Sequence, residues 1–302
     1  MNELERMEMG RHCRYFSMLG WALFALLAAM AVVQVVAAAV AALLAPALLK
    51  EPLFYWALSL VSVYVAGAAA FVLVIRRVPA PPRLRGQLLG PGRFFQVYGA
   101  AVGVAYLMNW LTLMVLELVG MLRGKAVENP VESLMDYPPA LSLLLSCVVA
   151  PVVEELLFRR LLLERLRPYG GRFAVVASAL CFGIFHGNFS QFFYAFAIGI
   201  LFGWAALTTG RIWQVMLLHC MVNFLSVGVL PMLEWLGAPE WTSSLLVLGG
   251  MGIGIACLVG LVREMRFVPG VMGLSPRRTW RLFFENPGVA LTCLVFLVLA
   301  VM

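Results

Sequence analysis

The sequence predicts an all-α fold, a polytopic transmembrane helical bundle of eight or nine spans. Three observations carry that prediction. Apolar residues make up 63% of the 302 and charged residues only 12%, about half the charge with which a soluble domain covers its surface. The apolar residues are gathered into long runs, many near the ~20 residues with which a helix crosses the hydrocarbon core and satisfies its own backbone. The charged residues cluster between those runs, and the basic ones fall in alternate gaps, as the positive-inside rule requires.

Taken in order, the runs place spans near 15–45, 53–75, 94–122, 139–165, 173–190, 191–209, 212–231, 242–262 and 288–302. The first is much longer than the ~7–15 apolar residues of a signal peptide. Glu3, Glu5 and Glu8 precede it, so it reads as a retained signal anchor. The segment Val78–Gly92, containing PAPPR and GPG, reads as a linker. It divides residues 1–93, two leading helices, from a core of six spans over 94–262. Residues 263–302 supply a basic connector, with Thr279–Phe284 suited to the headgroup layer, and a last helix.

With a cytoplasmic N-terminus, nineteen of the 22 basic residues lie inside, and only Lys50, Arg123 and Lys125 lie outside. Glu128, Glu132, Asp136, Glu234 and Glu240 fall on the outer side. The net charge of +7 is therefore a topology signal and a contact with anionic headgroups, not a nucleic-acid footprint. The expected setting is a membrane, with a bacterial plasma membrane as the default. The six cysteines are scattered without a CxxC pair and suggest neither a disulfide framework nor a zinc knuckle.

Charged residues deep in a span cost about 2.5–3.5 kcal/mol on insertion scales and invite a functional reading. Three groups stand out: Glu154-Glu155 in APVVEELLFRR, His186 in CFGIFHGNF, and His219 with Asn223 in LLHCMVNF. At 1.5 Å per residue, Glu154 and His186 lie roughly 20 Å deep and His219 somewhat less. Glu155 and Arg159 share a helix face and can pair, which turns Glu154 about 100° away, towards a cavity. His219 and Asn223 can address one substrate group together, and Phe182 makes an aromatic wall one turn before His186. A carboxylate beside an imidazole can hold a water and take its proton. A second imidazole and a carboxamide can donate to an oxyanion. The same donors, Glu154, His186 and His219, also make a ligand set for a divalent metal such as zinc.

EExxxR (Glu154, Glu155, Arg159), FxxxH (Phe182, His186) and HxxxN (His219, Asn223), in that order on successive spans, resemble the CAAX-protease and bacteriocin-processing family. That family, also called Abi, includes the type II CAAX prenyl endopeptidase. The likeness covers roughly 94–262. It implies an intramembrane endopeptidase acting on a protein or peptide substrate at the bilayer. Glu154 would be the general base assisted by His186, His219 and Asn223 the oxyanion hole, and Glu155–Arg159 a supporting pair. The family has been described both as metalloproteases and as glutamate-dependent enzymes. The glutamate reading, which needs no cofactor, is preferred because His219–Asn223 suits an oxyanion better than zinc. Nothing in the sequence identifies a prenyl pocket.

Plainer roles stand beside these. His186 can be satisfied by a backbone carbonyl near the GNFSQ turn, and His219 and Asn223 can bond between helices. The alternative function is a non-enzymatic family member, or a transporter or scaffold using the same Glu/His set, although no inverted repeat is visible. Cys147 and Cys220 are expected near the site, and His12 in the headgroup-facing tail. The Gly-rich run LGGMGIGIACLVG reads as a helix-packing face.

Overall fold

The computed structural model describes residues 3–84, 86–124 and 137–301, and these are 85% helical without a strand. Ten helices follow in order: α1 (Glu3–Leu44), α2 (Pro52–Ile75), α3 (Pro91–Arg123), α4 (Pro139–Tyr169), α5 (Gly171–Phe185), α6 (Phe189–Thr209), α7 (Ile212–Trp235), α8 (Glu240–Glu264), α9 (Pro276–Phe284) and α10 (Pro287–Val301). Seven are long and apolar enough to cross a membrane, and α9 with α10, bent by 64°, makes an eighth candidate. Arg85, Lys125, Glu128, Glu132 and Asp136 lie outside the described residues.

The expected span 173–190 is corrected. Helix α5 has only 15 residues, about 22 Å at 1.5 Å per residue, against a hydrocarbon core of about 30 Å. The chain turns back at Gly187, whose φ of 70° suits a residue without Cβ. Asn188 then caps α6 by accepting the Gln191 backbone N–H at 2.9 Å. Apolar residues continue through this turn, with Phe185 before it and Phe189 after it, so hydropathy does not mark it. Phe189 and Phe192 pack against Phe296 of α10 at 5.5 and 5.3 Å between ring centroids.

Four stretches are wound as π-helix: 60–67 in α2, 144–149 and 156–163 in α4, and 224–229 in α7. Two of them have an evident cause. Proline lacks an N–H and crowds the carbonyl four residues back, and the wider i→i−5 winding relieves that. Immediately before Pro151, Ala150 N–H bonds Leu145 O; immediately before Pro231, Leu230 N–H bonds Leu225 O. The next bond in each series would need the missing proline N–H, so the carbonyls of Ser146 and Ser226 are left over.

Helices α3 and α8 cross backbone to backbone. A Cβ on Gly103 would stand 2.6 Å from the Gly254 Cα, so both glycines are required for the backbones to meet. Of the Gly-rich run in α8, Gly254 is the residue at this crossing, while Gly249 and Gly252 face open space.

The linker is a pinned strap across the basic end of the bundle. Arg165 Nε donates to Val78 O at 3.0 Å and Arg167 to Pro82 O at 2.7 Å. Gly86 N–H donates to Thr209 O, and Gln214 exchanges two bonds with the Leu89 backbone. Helix α1 starts earlier than the hydropathy suggests, and His12 is not in a free tail. It is buried, with Nδ1 3.0 Å from the Tyr169 hydroxyl.

Candidate active site

Glu154 and Glu155 sit in the short α-wound piece Ala150–Glu155 between the two π stretches of α4, and both are buried. Glu155 is fully enclosed. Its Oε2 lies 3.1 Å from Arg159 Nε one turn later, the pair expected from the i,i+4 spacing. Arg159, only 1% exposed, lays its guanidinium 4.2 Å from the centre of the Phe182 ring. A buried cation is tolerable only with such partners: an opposite charge on one side and an aromatic face on the other.

The other oxygen of Glu155 fixes His219. Oε1 accepts from the ring at Nδ1, 2.9 Å away. A carboxylate can only accept, so this partner assigns the proton to Nδ1. The bond turns Nε2 towards Glu154, whose Oε2 stands 3.8 Å from it. The second Glu154 oxygen, Oε1, accepts from the Tyr64 hydroxyl of α2 at 3.2 Å. His219 thus lies between two carboxylates, bonded to one and facing the other. Its ring sits among Phe182 and Phe202, with centroids at 5.8 and 5.5 Å.

His186 closes α5. Its Nδ1 donates to Phe182 O at 2.8 Å, the plainer role anticipated for it, and this leaves Nε2 uncommitted among the described residues. The ring is edge-on to Phe182 at 4.9 Å and 6.5 Å from Tyr194. Phe182 therefore touches Arg159, His186 and His219 at once. The turn is held by its own network, in which Asn188 donates to His186 O and to Gln191, and Gln191 donates to the Tyr194 hydroxyl.

Asn223 lies one turn beyond His219 on α7. Its Nδ2 donates to Ser146 O at 2.7 Å, the very carbonyl that Pro151 leaves without its π-helical partner. The proline that bends α4 just before Glu154 thereby provides the acceptor that holds Asn223.

The structure brings Glu154, Glu155, Arg159, Phe182, His186, His219 and Asn223 into one neighbourhood on three helices, α4, α5 and α7. The sequence suggested His186 as the imidazole that assists Glu154; the structure also sets His219 Nε2 3.8 Å from Glu154 Oε2. Among the described residues no three His, Cys, Asp or Glu side chains are gathered closely enough to hold a metal ion. Cys147 and Cys220 line an apolar cleft of about 360 Å³ on the neighbouring face of α7, together with Tyr98, Val148, Met221 and Phe224. Tyr64 escaped sequence reasoning because a lone tyrosine in an apolar span carries no spacing signal. Pro151 was visible, but its effect on a carbonyl of the preceding turn was not.

The family model described as type II CAAX prenyl endopeptidase Rce1-like matches residues 136–225, the stretch that holds all three motifs. A protein of Bacillus subtilis (strain 168) named "Putative membrane peptidase YdiL" is 28% identical over 132 residues, 42% of this chain and 54% of that protein. The chain thus spans about half the length of the curated relative it matches. No solved structure matches it. With the ordered motifs and the helical bundle that carries them, these matches make the chain similar, over less than half of its length, to membrane peptidases of the CAAX-protease and bacteriocin-processing family.

Proposed function

We propose that this chain is an intramembrane endopeptidase that hydrolyses a peptide bond with a water activated by Glu154. The observation that carries the reading is the placement of that buried carboxylate. Tyr64 holds one oxygen and His219 Nε2 faces the other at 3.8 Å, a gap a water can bridge by standing off the line between them. Glu154 Oε2 takes the proton as the water oxygen adds to the scissile carbonyl. His186, with Nδ1 committed to Phe182 O, has Nε2 free to hold the same water. The oxyanion that forms accepts from His219 Nε2, in the doubly protonated ring, and from the second Nδ2 hydrogen of Asn223. Glu154 then passes its proton to the leaving nitrogen, so that the C–N bond breaks and the products are a carboxylic acid, which ionises on release to water, and a free amine. Glu155 and Arg159 keep His219 in place. The reading is written without a metal, which the lack, among the described residues, of three His, Cys, Asp or Glu side chains placed around one ion supports.

The substrate class is a membrane-associated or C-terminally anchored protein or peptide. The expected setting is a bacterial plasma membrane with the N-terminus cytoplasmic, supported by the basic residues at one end of the bundle. The test compares protein termini in membranes of cells carrying the wild type or Glu154→Gln at matched expression, by mass spectrometry. Termini that vanish with the variant support the reading and name substrates. Coincident maps would refute it.

A further inference from the structure

We infer that Tyr64, on a helix outside the family-matched region, is a positioning residue that fixes the carboxylate of Glu154. The inference rests on the assignment of Glu154 as the base. Its hydroxyl is the hydrogen-bond donor that the structure gives to Glu154, at 3.2 Å to Oε1. A carboxylate has two oxygens and a soft terminal torsion. One fixed oxygen therefore fixes the other, the one that faces His219.

The helix carrying Tyr64 is built to hold that hydroxyl still. Tyr64 stands within the π-wound stretch Leu60–Gly67 of α2. Two residues earlier, Ser62 is fully buried and accepts from Gln34 of α1 at 3.2 Å. Three residues later, Gly67 lets the backbone close on α1, where a Cβ would stand 2.8 Å from Met30 Cγ. On the face towards α4, Trp56 Nε1 donates to Leu141 O at 3.0 Å, and Phe71 meets Phe158 at 6.5 Å. Tyr64 lies between these two anchors. The leading helices therefore support the reacting group, beyond anchoring the chain.

The test uses the full chain in detergent and an internally quenched peptide spanning a bond named by the terminus comparison. Tyr64→Phe keeps the ring and removes the hydroxyl. The expected result is a fall in kcat of about tenfold or more, since displacing a reacting group by ~1 Å can cost 10²-fold. KM stays within about twofold and the thermal midpoint is unchanged. Trp56→Phe removes the other side-chain hydrogen bond between α2 and α4; it is expected to leave kcat near wild type, whereas a merely structural role for α2 would make the two variants alike. If Tyr64→Phe proves unfolded, Tyr64→Gln, whose amide is too short to reach Glu154, is judged by the same limits. A kcat within about twofold of wild type, or equal losses in Tyr64→Phe and Trp56→Phe, would overturn the inference. Glu154→Gln separates the two claims. If it cleaves normally, the base assignment fails. If it is inactive while Tyr64→Phe is fully active, only the role of Tyr64 fails.

Discussion

Replacing Pro151 with alanine should give a protein at least as stable as the wild type but slower. The residue sits inside α4, where proline costs a helix about 3 kcal/mol relative to alanine. Against that gain, two ring carbons leave a buried position, a loss of about 1.6 kcal/mol at ~0.8 kcal/mol per methylene. The restored N–H at position 151 competes for the carbonyls that the proline leaves free, and Ser146 O is the one that now accepts Asn223 at 2.7 Å. Losing that bond costs about another 1 kcal/mol. The balance is a stability unchanged or raised by roughly 0.4 kcal/mol. Activity should move the other way. Removing an oxyanion donor outright slows an enzyme about 10²–10³-fold, and a donor that is only loosened should cost about tenfold. Thermal unfolding in detergent and turnover of the quenched peptide measure the two quantities on one preparation. A variant that is destabilised yet turns over at the wild-type rate would refute the link from Pro151 through Ser146 to Asn223.

Other outcomes follow from the same geometry. Arg159→Met leaves Glu155 a buried charge without its cation, which should cost about 3–5 kcal/mol; the double variant Glu155→Met/Arg159→Met should recover much of the thermal midpoint while remaining inactive, because His219 has lost its anchor. Gly254→Leu cannot fit against Gly103 and should destabilise by about 1–3 kcal/mol, read as a lowered thermal midpoint; an unchanged midpoint would contradict the tight crossing. On the proposed metal-free mechanism, dialysis against EDTA and 1,10-phenanthroline should leave peptide turnover unchanged. Loss of turnover that zinc restores would overturn the metal-free mechanism.

The bundle was legible because the membrane enforces a harsh contrast. Apolar runs and alternating basic gaps located the long helices, and the same contrast made Glu154, His186 and His219 conspicuous. The i,i+4 rule correctly paired Glu155 with Arg159, since both lie on one helix. Contacts between helices were less accessible. Which imidazole faces Glu154 depends on how α4, α5 and α7 are rotated against one another, and hydropathy says nothing of that rotation. The early end of α5 was hidden because phenylalanines continue across the turn at Gly187. The π stretches were hidden for a similar reason: winding changes neither composition nor apolar periodicity strongly, although Pro151 and Pro231 mark two of them afterwards. His12 read as a tail residue because its partner, Tyr169, lies 157 positions away.

The most direct test of the central claim compares two adjacent glutamates. Purified Glu154→Gln and Glu155→Gln are assayed for turnover of the quenched peptide and for thermal unfolding. They stand in different places: Glu154 faces His219 Nε2 and is the base on the proposed mechanism, while Glu155 ties His219 to Arg159. Glu154→Gln is expected to fold like the wild type, with turnover lost by about 10³-fold or more. Glu155→Gln should melt lower and retain more turnover while folded. A folded Glu154→Gln protein that cleaves at the wild-type rate would contradict the account.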